Sequence, residues 1–157
     1  MRNCRFESIR LSAAIWLLGV AVLASGCSSF NSEWKRAARK PTTDALTGRW
    51  EGTWLSGVNA HSGKLRCVIG EPEDGVYRAR FDAKYEKVLS FGYTVPLKVE
   101  KTDSGVSFKG EADLGWLAGG VYRYAGHADA TNFLSTYSCK YDHGDFTMRR
   151  VPQEDQH

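Results

Sequence analysis

From residue 48 to residue 150 the chain alternates apolar and polar positions with a period of two, the mark of strands that bury one face. The first run is Gly48-Arg49-Trp50-Glu51-Gly52-Thr53-Trp54, with Trp50 and Trp54 on one face and Arg49, Glu51 and Thr53 on the other. A small, polar, Gly-containing loop follows over 56–63. Leu65, Cys67 and Ile69 then alternate against Lys64, Arg66 and Val68. After the turn Glu73-Asp74-Gly75, Tyr77, Ala79, Phe81 and Ala83 oppose Arg78, Arg80 and Asp82. The longest run places Leu89, Phe91, Tyr93, Val95, Leu97 and Val99 on one face. Pro96 lies inside it and predicts a bulge or an open ladder, because proline has no N–H to donate.

The pattern continues through Val106, Phe108, Gly110 and Ala112 to a Gly-rich loop over 113–120. Val121–Ala128 alternates around Tyr122 and Tyr124, and Thr131–Tyr141 around Phe133, Ser135, Tyr137, Cys139 and Tyr141. Asp142-His143-Gly144-Asp145 turns into a last run, Phe146–Arg150. About eight strands joined by short turns, with no helical period after residue 46, predict an all-β domain over 46–151. An antiparallel up-and-down barrel is the expected architecture, since closure removes exposed sheet edges. A two-sheet sandwich is the alternative. A barrel of this size either fills with side chains or holds one small ligand. The inward aromatics are numerous, and Trp54, Tyr77, Phe91, Tyr93, Tyr122, Tyr124 and Tyr137 are the candidates to line a cavity. Ala79, Gly92, Gly110 and Gly126 among them fit a tightly interdigitated interior equally well.

The segment before the domain has a different pattern. Arg2, Arg5 and Arg10 precede an almost wholly apolar stretch, 11–24, too short to span a bilayer comfortably. It ends in Leu23-Ala24-Ser25-Gly26-Cys27. This arrangement resembles a bacterial lipobox, with Ala24 at the place where Leu is most usual. The resemblance implies a signal peptide over 1–26 and acylation of Cys27. Ser28 stands where such lipoproteins carry an Asp for inner-membrane retention, which implies an outer-membrane anchor facing the periplasm. The alternative is an ordinary secretory signal and a soluble periplasmic protein. Residues 27–45 are polar around Trp34 and read as a flexible tether. Glu33–Lys40 carries four basic residues and allows two helical turns before Pro41. The tail, 152–157, reads as disordered.

Charge excludes one class of partner. Without residues 1–26 the chain has 18 basic and 17 acidic residues, so it offers no electrostatic footprint for nucleic acid. Of four cysteines, the lipobox resemblance implies that Cys4 leaves with the leader and that Cys27 is acylated, leaving Cys67 and Cys139. In an oxidising compartment these two predict one disulfide, against the alternatives of free thiols or a soft metal site. His61, His127 and His143 with Asp129, Asp142 and Asp145 lack metal-ligand spacing, and Asp142–Asp145 reads as a turn. Ser56, His61 and Ser62 share a loop without forming a triad pattern. No cofactor and no catalysis are expected.

Gly48-x-Trp50 in the first strand, with Arg149 or Arg150 in the last, resembles the signature shared by lipocalin-like and avidin-like barrels (the calycins). Leu46-Thr47-Gly48-Arg49-Trp50 also resembles an avidin opening. The resemblance implies that Trp50 closes one end of the barrel and that a late Arg packs across it. It covers about ten residues and implies architecture rather than ligand. The expected function is a lipid-anchored barrel that binds a small amphiphile or serves as a structural envelope module. A barrel that inhibits an envelope hydrolase through loops 59–63 or 114–120 is the alternative.

Overall fold

The computed structural model describes residues 29–85, 89–116 and 119–154; the expected leader and lipobox-like segment, with Cys27, lie outside them. Eight strands run in chain order: β1 (Gly48–Ser56), β2 (Ser62–Ile69), β3 (Val76–Tyr85), β4 (Leu89–Thr102), β5 (Gly105–Asp113), β6 (Val121–Ala128), β7 (Asn132–Ser138) and β8 (His143–Arg150). Each pairs antiparallel with its neighbour in sequence, and β1 pairs with β8 from Trp50↔Arg150 to Ser56↔Gly144. The sheet is therefore a closed up-and-down barrel and not a two-sheet sandwich.

Alternation sets the two faces of the wall. Trp50, Cys67, Phe81, Val95, Phe108, Phe133 and Met148 are buried inside, while Glu51, Lys64, Lys98, Lys109 and Arg149 face solvent. An outer face with this many charges is the reverse of a lipid-spanning barrel. Pro96 marks a divergence, as its missing N–H predicts. Strand β3 follows β4 from Leu89 to Lys98, but the β4–β5 ladder starts only at Leu97↔Gly110. Toward one end of the barrel, β4 and β5 thus lie apart among the described residues.

Two segments outside the barrel depart from expectation. Residues 29–37, expected as a spacer, form a helix, α1, seated on the outer face of β1–β3. Phe30 and Trp34, one turn apart, stack with ring centroids at 5.9 Å. The Arg66 guanidinium lies 5.0 Å from the Phe30 ring and 5.2 Å from the Trp34 ring, and Arg49 lies 5.4 Å from Trp34. Glu33 pairs with Arg80 at 2.6 Å. The basic residues of the wall supply a partner that the polar composition of α1 concealed. The tail is likewise pinned as far as residue 154. Pro152 O accepts from Arg49 at 2.6 Å, the Glu154 N–H donates to Ala38 O, and Glu154 pairs with Arg49.

The expected disulfide is absent: Cys67 and Cys139 are both free. Cys67 pairs with Trp50 and Phe81 deep in the wall, whereas Cys139 lies beyond the end of β7, at the opposite end of the barrel. Alternation placed both on an apolar face but carried no information about height along the barrel axis. Among the described residues, all strand pairings and the core cluster fall within residues 45–150, which close into one barrel around one core.

Candidate functional site

The two ends of the barrel differ. At the end where β1 begins, Trp50 is fully buried and its indole N–H donates to Leu46 O at 2.8 Å. The Arg150 guanidinium stacks 4.2 Å above the Trp50 ring. Its fork donates to Ala45 O (2.6 Å), Ala130 O (2.7 Å) and Thr47 O, so one side chain holds three loop carbonyls over the end. Arg150, not Arg149, takes this place, because Arg149 alternates outward to solvent. Gly48 has φ +128°, a conformation side chains rarely adopt, and an added Cβ would stand 3.0 Å from the Arg150 guanidinium. Asp44 completes the plug by accepting from the N–H groups of Leu46 (2.7 Å) and Thr47 (2.6 Å).

Tyr77 belongs to this plug and not to a ligand cavity. Its hydroxyl donates to Asp44 at 2.8 Å, and burial together with the Asp44 charge pushes its pKa up to about 12. Burial alone would raise the Asp44 carboxyl, but bonds from Thr47, Leu46 and Tyr77 outweigh it and hold the group below its ordinary value. Above the plug, Phe108 and Phe133 stack at 4.6 Å and Trp50 meets Phe133 at 5.6 Å. These rings pack closely above the plug.

Among the described residues, the other end is open. A cup of about 540 Å³ occupies the upper half of the barrel, within the range of small-molecule sites. Six of the seven candidate lining residues meet there: Trp54, Phe91, Tyr93, Tyr122, Tyr124 and Tyr137. Phe146 and Tyr124 line it and Phe81 packs against both, the three centroids 5.6–6.3 Å apart. Burial raises the hydroxyl pKa values of Tyr93, Tyr122, Tyr124 and Tyr137 well above the ordinary 10.0, so at neutral pH these rings are uncharged. On one side of the cup, Asp142 accepts from Ser56 Oγ at 2.7 Å and from the Tyr137 hydroxyl at 2.9 Å.

Several residues of the cup escaped the sequence reading. Tyr85 continues the alternation of Phe81 and Ala83 by one step; it stacks on Trp54 at 6.0 Å and bonds His61 Nδ1 at 2.7 Å. Extending the third strand by two residues would have found it. Asp142 has the sequence context of a turn residue, and nothing in the local pattern shows that its carboxylate turns into the barrel. Loops 57–61, 114–116 and 139–142 stand around this mouth. Its rim exposes Val58, Phe91, Trp116 and Tyr141, with Trp116 84% exposed.

Comparison with family models, with curated proteins and with solved structures found no match.

Proposed function

We propose that this protein is a non-catalytic, outer-membrane-anchored lipoprotein whose calycin-like barrel binds a small amphiphilic ligand. The observation that carries the reading is the contrast between the two ends. One is sealed by Trp50 and Arg150, and the other opens into an aromatic cup with polar groups along one side. An amphiphile needs both: apolar rings for its tail and a polar margin for its head. The anchor rests on the lipobox-like Leu23–Cys27 and on Ser28 in place of a retention Asp.

The placement of α1 supports the same reading. It runs from mid-wall, where Ser29 bonds Arg80, to the plugged end, where Ala38 meets Glu154. Its N-terminal end is therefore the one nearer the mouth. A chain anchored at Cys27 holds the mouth close to the membrane, where amphiphiles partition. A second reading has one observation in its favour: the exposed Val58, Phe91, Trp116 and Tyr141 suit a protein partner such as an envelope hydrolase.

Residues 29–157 should bind the apolar fluorophore N-phenyl-1-naphthylamine with a rise in its emission. Ala83→Trp, which adds bulk at the cup wall, should abolish that rise while leaving the circular dichroism unchanged. Equal binding by the two forms would rule out the cup as the site. Labelled palmitate should enter the full chain and not a Cys27→Ser form.

A further inference from the structure

Among the described residues, the charges that face the cup are unbalanced. The wall strands carry many basic residues, but alternation turns them outward: Arg123 pairs with Glu111 on the outer surface at 3.0 Å, and both are exposed. Lys84 reaches the cup through its carbonyl, which accepts the Trp54 indole N–H at 3.0 Å, while its side chain is exposed. His61 is engaged by the Tyr85 hydroxyl at the rim. Asp142 is left as the acidic group of the lining, and it takes part in no ion pair among the described residues. Its oxygens accept one hydroxyl each, from Ser56 and from Tyr137, and a carboxylate oxygen has capacity for a further partner.

Asp142 is bordered in the cup by aromatic side chains, and Tyr137 meets it through its hydroxyl. Tyr122 and Tyr137 stand beside it with centroids 6.1 Å apart, and Tyr137 meets Phe146 at 5.1 Å. Ring faces are negative and attract cations, most strongly where water is excluded. A carboxylate beside such faces repels an anion and gives a neutral head group no particular advantage. We propose that the cup selects an alkylammonium amphiphile, its cationic nitrogen held between Asp142 and the rings of Tyr122 and Tyr137. The alkyl tail lies across the cup on Phe91, Tyr93 and Ala83, which the closed strand order places on the opposite wall. This assignment rests on the amphiphile-binding reading above and names the head group that reading leaves open.

The test uses three single-chain probes below their micelle concentrations: octyltrimethylammonium, octyl glucoside and octyl sulfate. Each is titrated calorimetrically into residues 29–157. The ammonium probe should bind at least ~10-fold more tightly than the other two, the size of effect expected for a cation on desolvated rings with a counter-charge. Asp142→Asn should remove most of that advantage and leave octyl glucoside unaffected, and Asp142→Glu should restore it. Should Asp142→Asn fail to fold, the ranking of probes on the unmodified chain still decides. Equal affinities, a preference for sulfate, or an ammonium affinity indifferent to Asp142→Asn would overturn the head-group assignment while leaving an amphiphile site in place. Failure of all three probes to bind would overturn both. Phosphatidylethanolamine vesicles as competitor separate the two natural sources: displacement of the probe indicates a lipid head group and no displacement a free cationic amphiphile, and either upholds the ammonium assignment.

Discussion

Arg150 shows how much one side chain can organise. It stacks on Trp50, bridges the last strand to the chain before the first, and satisfies carbonyls of residues 45, 47 and 130. Replacement by Met keeps some of the packing but leaves those carbonyls without donors, which should cost about 3 kcal/mol. Arg150→Lys should recover only part of the loss, since a single ammonium cannot span three acceptors. Urea unfolding of residues 29–157 measures both, and a Met variant as stable as the parent would show the plug to be dispensable. Trp50 and a late Arg were legible from the sequence through the resemblance of Gly48-x-Trp50 and Arg149 or Arg150 to the calycin signature. The choice of Arg150 over Arg149 follows from the parity of β8 once its register against β1 is known.

At the scale of elements, the strands were easy to read and the helix was not. Strand order and number follow from period-2 runs bounded by turn residues, and even the opening of the ladder at Pro96 follows from a missing donor. Residues 29–37 carry no such signal, since their apolar content is little more than Phe30 and Trp34. What fixes α1 is the wall beneath it: Arg49, Arg66 and Arg80 present guanidinium faces to those two rings and an ion pair to Glu33. Trp34→Ala removes contacts to two of these cations and should destabilise the protein by about 2 kcal/mol. It should also expose α1 to proteolysis near residue 36 without altering probe binding in the cup. An intact, protected helix in that variant would mean that Phe30 alone holds it.

The whole molecule should show a stability plateau bounded on both sides. Asp44 and Asp129 have carboxyl pKa values held below the ordinary 3.8 in the folded state. In Asp129 the cause is bonding from the Thr131 and Asn132 N–H groups. Depressed carboxyls contribute stability above 3.8 that is lost as the pH falls through their folded values. The buried tyrosines shift the other way: their contribution is complete below 10.0 and is lost as the pH rises toward their raised folded values. The melting temperature should therefore stay level from about pH 5 to about pH 9 and fall at each end. Asp44→Asn with Asp129→Asn should flatten the acid limb; an acid limb unchanged in that double variant would place its origin elsewhere.

The sequence by itself determined that this is an all-β chain, which residues face inward, and where one end would be sealed. The first two follow from alternation and turn chemistry, and the third from the resemblance of Gly48-x-Trp50 and a late Arg to the calycin signature, all local to a few residues. Only the tertiary structure decided how far along the barrel axis each inward residue stands. Tyr77 and Tyr93 look alike in alternation, yet one bonds Asp44 in the plug and the other lines the cup. Cys67 and Cys139 share an apolar parity and lie at different heights, so no bond joins them. Asp142 became a candidate for ligand recognition when closure brought Ser56 of β1 and Tyr137 of β7 to the same carboxylate. Parity is a property of one strand; height and convergence depend on the stagger of all eight.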